Sequence, residues 1–239
     1  MIPKTIHYVW IGGKKKPKDV EWCIQTWKKK LPGYNIVEWN ESNINFNENS
    51  FLKEAYNQKK WAFVSDYVRM SAIYKYGGVY FDTDVVAVHN LDTLLTNEAF
   101  VGFETPQLPF SAVFGAVPHH KFVKANLDFY DSVNTDNVDF NDESLINTNI
   151  ASSILIHQFA CVPNNHEQIL ESGLHVYPDR ILCKASGQSY TIHVMTGSWK
   201  GERRGRFEDF KRNIRLHLTT RSLAAIYDEL KKLSKVLAK

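Results

Sequence analysis

Two aspartates one residue apart, Asp82 and Asp84 in "YFDTDV", stand where an aromatic-rich strand loses its hydrophobic pattern. In an extended segment alternate side chains share a side, so this spacing predicts two carboxylates close together. Carboxylates that close raise each other's pKa unless a cation sits between them. A hard divalent ion, Mn2+ or Mg2+, resolves the repulsion and leaves coordination positions for phosphate oxygens. A turn or a helix cap would use the same residue types, so the pair alone leaves both readings open.

Upstream, in "FVSDYVRMSAIYKYGG", Asp66 and Arg69 are three residues apart and share a helix face. An ordinary intrahelical ion pair has this spacing too. Yet Phe63, Tyr67, Met70 and Ile73 border the pair, and a charge pair in so apolar a helix is costly unless it has a task. A carboxylate and a guanidinium together can accept from and donate to neighbouring sugar hydroxyls. Trp10, in "HYVWIGG" at the end of the first strand, offers a flat face for a nucleobase, although a lone aromatic there also reads as core.

Positioning these groups falls to strand-like runs at 5–11, 35–39, 79–81, 85–88, 99–103, 112–117, 174–177 and 191–195. Helical patterns cover 17–30, 50–58, 62–76 with Gly77 as the stop, 121–132 and 143–159, while the polar stretch 134–142 reads as a surface loop. Strands alternating with helices predict an α/β fold, a mainly parallel sheet covered on both faces. Ligands in such sheets gather outside the carboxyl ends of the strands, where Asp82 and Asp84 fall.

With 239 residues, 44% of them hydrophobic and 13% aromatic, the chain can bury a large core and is not disordered. Three cysteines, Cys23, Cys161 and Cys183, form no CxxC and point away from both a disulfide framework and a zinc cluster, which fits a reducing cytoplasm. The start, "MIPKTIHYVWIGG", reads as a first strand and not a signal peptide, and no stretch approaches the roughly 18 apolar residues of a membrane span. The charge is uneven: residues 199–239 hold 12 Lys and Arg against 5 Asp and Glu, a net +7, so the rest carries −4. In that tail Phe207, Phe210, Ile214 and Leu218, and then Leu223, Ile226, Leu230, Leu233 and Leu237, recur at helical spacing among basic residues. Two readings stand for these amphipathic helices: packing on the domain, or binding an anionic membrane surface. Nucleic acid is disfavoured, because aromatic platforms are not interleaved with the charges.

Three blocks, "IHYVWIGG", "AFVSDYVRMSAIYKYGGVYFDTDV" and "IHVMTGSW", resemble the DxD sugar-transferase family, glycosyltransferase family 32; the first two are also similar to the large glucosylating toxins. The resemblance is strong to residue 105 and thin from 106 to 190. It implies a GT-A type fold, a mostly parallel Rossmann-like sheet flanked by helices, over residues 1–200, with the basic amphipathic helical tail as 201–239. It also implies a nucleotide-sugar donor stacked on Trp10, with Asp66 and Arg69 on its sugar hydroxyls and Asp82 near ribose, sugar and metal. Asp84 would ligate the metal, His193 would be a further ligand, and Trp199 would close over the β-phosphate. Catalysis would rest on Asp82, Asp84 and Arg69, and no carboxylate announces itself as a nucleophile.

The implied activity is metal-dependent, retaining transfer of a hexose to a glycan or glycolipid acceptor, as in capsular or surface polysaccharide synthesis. The likeness of the first block to the UDP-using toxins favours a UDP-sugar over GDP-mannose. The expected location is the cytoplasm, peripheral at the inner face of the membrane. Two further readings remain at this point: a nucleotidyltransferase or metal phosphohydrolase, which could also use DxD, and a non-catalytic glycan- or membrane-binding adaptor.

Overall fold

In the computed structural model, which describes residues 1–195 and 206–237, strand β1 (Thr5–Val9) leads to helix α1 (Lys18–Lys30) and β2 (Asn35–Trp39). Helices α2 (Ser50–Asn57) and α3 (Trp61–Tyr76) follow, then β3 (Gly78–Phe81), β4 (Val85–Ala87), β5 (Ala99–Gly102) and β6 (Val113–Ala116). The second half contributes α4 (Lys121–Ser132), α5 (Asn147–Gln158), β7 (Gln168–Ile169), β8 (Leu174–Tyr177), the single turn α6 (Asp179–Leu182) and β9 (Thr191–His193). Two helices, α7 (Arg206–Leu216) and α8 (Arg221–Leu237), complete the described chain.

Seven strands form one sheet in the order β2-β1-β3-β6-β5-β8-β7. The pairs β1/β2, β1/β3 and β5/β8 are parallel, while β6 and β7 run against their neighbours, so five strands point the same way. The expected mostly parallel α/β sheet is thus present, interrupted by an antiparallel β6 at its centre. One face is covered by α2, α3, α4 and α5 through residues such as Phe51, Val64, Phe122 and Ile154. The other packs α1, β4 and β9 through Trp27, Val85 and Ile192, and also takes in Leu216, Leu218 and Ala224 of the C-terminal segment.

The junction of α3 and β3 depends on its two glycines. Gly77 has φ 64° and Gly78 φ 109°, values that L side chains rarely adopt. A Cβ would lie 2.7 Å from Pro118 Cδ at Gly77, and 2.7 Å from the Thr5 carbonyl oxygen at Gly78. Behind the junction His7 is buried, with Nε2 3.0 Å from the Gly77 carbonyl oxygen. The Trp39 indole donates to His7 Nδ1 at 3.1 Å; an indole N–H can only donate, so the ring proton sits on Nε2 and is given to Gly77.

Several expectations change. The stretch 143–159 is not one helix: Asp142 accepts from the Ser144 amide and caps a single 3₁₀ turn, Ile146 is extended, and α5 starts only at Asn147. β4 is not part of the main sheet but pairs antiparallel with β9 in its own two-stranded ribbon. The C-terminal segment divides its apolar residues. Leu216 and Leu218 are buried and the Trp22 indole donates to the Leu216 carbonyl, whereas Leu223, Ile226, Leu230 and Leu233 of α8 are 46 to 60% exposed. Tail packing therefore holds for the end of α7, the turn after it, and Ala224 and Tyr227 of α8, and not for Leu223, Ile226, Leu230 and Leu233. Phe207 and Leu237 lie outside the side chains described.

Candidate active site

Asp82 and Asp84 do not lie in an extended segment. The Val85 amide donates to the Asp82 carbonyl at 3.1 Å, closing a turn over 82–85. The two carboxylates converge because the chain reverses between β3 and β4, and not because side chains alternate along a strand. The Asp82 amide is held by the Ala112 carbonyl at 3.0 Å, which continues the β3/β6 ladder to the edge of the site.

His193 arrives through the ribbon. The register pairs Val85 with His193, and the Val194 amide donates to the Asp84 carbonyl at 3.0 Å. His193 Nε2 then stands 3.3 Å from Asp84 Oδ1. Asp82, Asp84 and His193 each offer a ligand atom, and these atoms lie within 4.8 Å of one another. Burial alone would lower the His193 pKa, but the charge and hydrogen bond of Asp84 raise it well above the usual imidazole value. His193 Nδ1 is buried without a hydrogen-bond partner among the described residues. Two carboxylates and one imidazole suit Mn2+ well and Mg2+ adequately, so the residues present fit the expected metal.

Beside this trio Arg69 joins two carboxylates. Its guanidinium lies 2.8 Å from Asp66 Oδ1 and 3.2 Å from Asp82 Oδ1, and sits 4.6 Å from the centre of the Tyr80 ring. Ser65 completes the cradle: its carbonyl accepts from Arg69 Nε at 3.3 Å and its hydroxyl meets that of Tyr80 at 3.0 Å. Burial pushes the Asp66 carboxyl up to about 7, the Asp82 charge adds to this, and Arg69 opposes it. Burial would lower the Arg69 pKa, but the surrounding negative groups, Asp82 foremost, carry it above its ordinary value. The Asp66–Arg69 pair is therefore more than a surface i,i+3 bridge, because it connects α3 to the DxD turn.

Trp10 stands half-buried at the carboxyl end of β1, its indole donating to the Lys14 carbonyl at 2.7 Å. The β1/β3 register brings it to the same sheet edge as Asp82, one strand away. Lys16 lies 5.8 Å from the Trp10 ring centre and pairs with Glu38 at 2.7 Å. Trp199 lies outside the described residues.

Sequence reading did not single out Glu104, just beyond the end of β5. Burial raises its pKa, and it feels the charges of His193, Asp82, Asp84 and Lys184. Nothing in "GFETP" marks it locally. The signal is topological: β5 and β3 both flank β6, so their carboxyl ends share one rim of the sheet.

The mostly parallel sheet, with its carboxylates on the carboxyl rim, is of the GT-A fold type, and the fold is similar to that of PaToxG glycosyltransferase. The two share a TM-score of 0.53 at 17% sequence identity over 66% of this chain and 69% of that one, a likeness of fold. Residues 17–101 match the family described as glycosyltransferase sugar-binding region containing DXD motif. The chain thus carries, in α1 to β5, the region in which Asp66, Arg69, Asp82 and Asp84 lie. Among curated relatives, it is 33% identical to an alpha-1,4-N-acetylglucosaminyltransferase of Homo sapiens over 28% of this chain and 18% of the relative. It is 28% identical to inositol phosphoceramide mannosyltransferase 1 of Schizosaccharomyces pombe over 51% of this chain and 40% of the relative. The matched stretches span less than half the length of both relatives.

Proposed function

We propose that this protein transfers a hexose from a nucleoside-diphosphate sugar to a glycan or lipid-linked saccharide, with retention of anomeric configuration and with Mn2+ or Mg2+ held by Asp82, Asp84 and His193. The carrying observation is the convergence of that trio beside an arginine shared by Asp66 and Asp82. Within the site the Asp66 carboxylate accepts from donor-sugar hydroxyls and the Arg69 guanidinium donates to them, fixing the anomeric carbon in place. Trp10 stacks on the base. A metal held by Asp82, Asp84 and His193 would, when bound, supply the positive charge that offsets the growing charge of the diphosphate leaving group.

Among the described residues no ion pair or hydrogen bond singles out a carboxylate as nucleophile, so the transfer is read as front-face. The acceptor hydroxyl attacks on the side the diphosphate leaves, its oxygen bonding to the anomeric carbon as the bond to phosphate breaks. Its proton passes to the departing phosphate oxygen. A glycosyl adduct trapped on any Asp or Glu would overturn this step.

UDP-linked glucose, galactose or an N-acetyl form is the favoured donor. GDP-mannose is the second reading, supported by the mannosyltransferase names among the relatives. No helix among the described residues is long and apolar enough to cross a membrane. The exposed apolar stripe of α8 and the net +7 of the tail support peripheral attachment to an anionic inner membrane face, where the product would serve surface polysaccharide synthesis. In a manganese-supplemented assay of nucleoside-diphosphate release, Asp84→Ala should abolish turnover at every metal concentration. Unchanged turnover would overturn the metal role, and release of pyrophosphate would point to nucleotidyl transfer.

A further inference from the structure

At the amino rim of the sheet, opposite the DxD turn, a cavity of about 380 Å3 opens between the ends of α3 and α5 and the start of α4. Tyr74, His119, Gln158, Phe159, Glu171 and Ser172 are among the residues that line it. Gly78 pairs with Ala116, so β6 ends beside the start of β3 and the loop after it, which carries His119, falls on that rim. Tyr74 is eight residues beyond Asp66, about 12 Å along α3. The walls are tied to one another. The His119 amide donates to the Tyr74 carbonyl at 2.9 Å, and the two rings meet edge to face with 4.8 Å between centres. His120 Nδ1 accepts from the Phe122 amide at 3.2 Å, so the ring proton sits on Nε2 and is given to the Ser172 carbonyl at 3.0 Å. Backbone strain gathers here as well. Of the six non-glycine residues with positive φ among those described, His119 (60°) and Ser172 (61°) line the cavity and Ala160 (56°) follows Phe159. Such conformations persist only where the surroundings hold them, and they cluster at ligand clamps.

We propose that this cavity is a second, non-catalytic glycan-binding site, which holds a stretch of acceptor chain away from the DxD rim. The lining selects among ligand classes. Lys121 and Lys124 are matched by Asp128 and Glu171, and Lys124 already pairs with Asp128, so the cavity carries no surplus charge for a phosphate or a nucleotide. So many polar groups do not suit a purely apolar ligand either. A sugar ring has apolar C–H faces and a rim of hydroxyls. Tyr74, His119 and Phe159 offer rings to those faces; Lys121 and the Gln158 amide nitrogen donate to hydroxyls, and Glu171 and the Gln158 carbonyl oxygen accept from them. The volume is at the small end for ligand pockets, which suits a short stretch of sugar residues. The anchoring role rests on the transferase reading of the DxD rim. A chain held at both places meets the catalytic site as an intramolecular partner, at a raised effective concentration.

The test is calorimetric titration of the full-length, metal-free protein with maltotetraose, cellotetraose, chitotetraose and mannotetraose, comparing wild type with His119→Gly and Gln158→Ala. Glycine removes the ring and accepts the positive φ, and Gln158 is exposed at the end of α5, so both variants should keep the wild-type melting temperature. The wild type should bind at least one of the four, and each variant should weaken that binding at least tenfold. Should His119→Gly melt early, Gln158→Ala carries the comparison alone. Binding that neither variant weakens lies elsewhere on the molecule and overturns the proposal, as does binding of none of the four. Inorganic phosphate that binds the wild type and is lost in Lys121→Ala would make the cavity an anion site and overturn it too. Hydrolysis of UDP- and GDP-sugars by the wild type with Mn2+ is read alongside. Hydrolysis without glycan binding overturns this proposal alone; glycan binding without hydrolysis upholds the cavity's ligand class and overturns the transferase reading together with the anchoring role.

Discussion

Among single residues Arg69 has the most exacting position. Its two terminal nitrogens reach different carboxylates, Asp66 on α3 and Asp82 at the DxD turn. A lysine keeps the charge but is a point donor on a flexible stem and loses the planar fork. Arg69→Lys should therefore fold with reduced stability and lower donor turnover by one to two orders of magnitude. Arg69→Ala should cost about 3 to 5 kcal/mol in urea denaturation, because it leaves two partly buried carboxylates uncompensated. A lysine variant with full turnover would show that the fork is not used. The type and spacing of Asp66, Arg69, Asp82 and Asp84 were legible in the sequence. The bridge from Arg69 to Asp82 was not, because it depends on where the chain turns after β3.

The α3–β3 junction is the element that sets the DxD turn, and His7 is its buried prop. Burial lowers the His7 pKa from 6.5 to about 4, with the bond to Gly77 opposing. The unfolded chain therefore binds a proton in a window where the folded protein does not. Stability from this group is complete above about pH 6.5 and is lost as pH falls through about 4, by about 3 kcal/mol at most. Denaturation series at pH 7 and pH 5 should show the loss, and His7→Gln should flatten that part of the profile while being less stable at pH 7. An unchanged slope in the variant would assign the acid sensitivity elsewhere. The glycine stop of α3 was readable from "YGG", whereas the Trp39–His7–Gly77 chain joins three separated segments and has no local pattern. The break at Ile146 was missed for a related reason: the apolar spacing of 143–159 continues through a turn that Asp142 caps.

On the scale of the whole molecule, the C-terminal segment both closes the core and exposes an apolar stripe. Arg221 donates to the Ser189 carbonyl at 3.1 Å and lies over Tyr190, and Ala224 is fully buried, so the start of α8 is docked. Beyond it Ile226, Leu230 and Leu233 remain 58 to 60% exposed. Burial raises no objection to changing them. Leu230→Glu with Leu233→Glu should leave the melting temperature nearly unchanged and abolish co-sedimentation with phosphatidylglycerol vesicles. The wild type should bind those vesicles and release from them as salt rises, since each Lys or Arg near the surface contributes about 1 kcal/mol. Equal binding by both proteins would remove the stripe from the interface. A wild type that instead runs as a dimer, split by the same substitutions, would assign the stripe to a second copy of the chain.

The sequence by itself determined the α/β alternation, the glycine stop, the apolar helix carrying Asp66 and Arg69, and the two aspartates. All of these follow from local periodicity and residue type, which act over a few residues. The tertiary structure decided how they meet. The 82–85 turn, and not strand alternation, brings the carboxylates together; the β4–β9 register delivers His193 across more than a hundred residues of chain; and the flanking of β6 by β3 and β5 brings Glu104 to the same rim. Such contacts are fixed by strand pairing and packing between distant segments, and no local pattern encodes them.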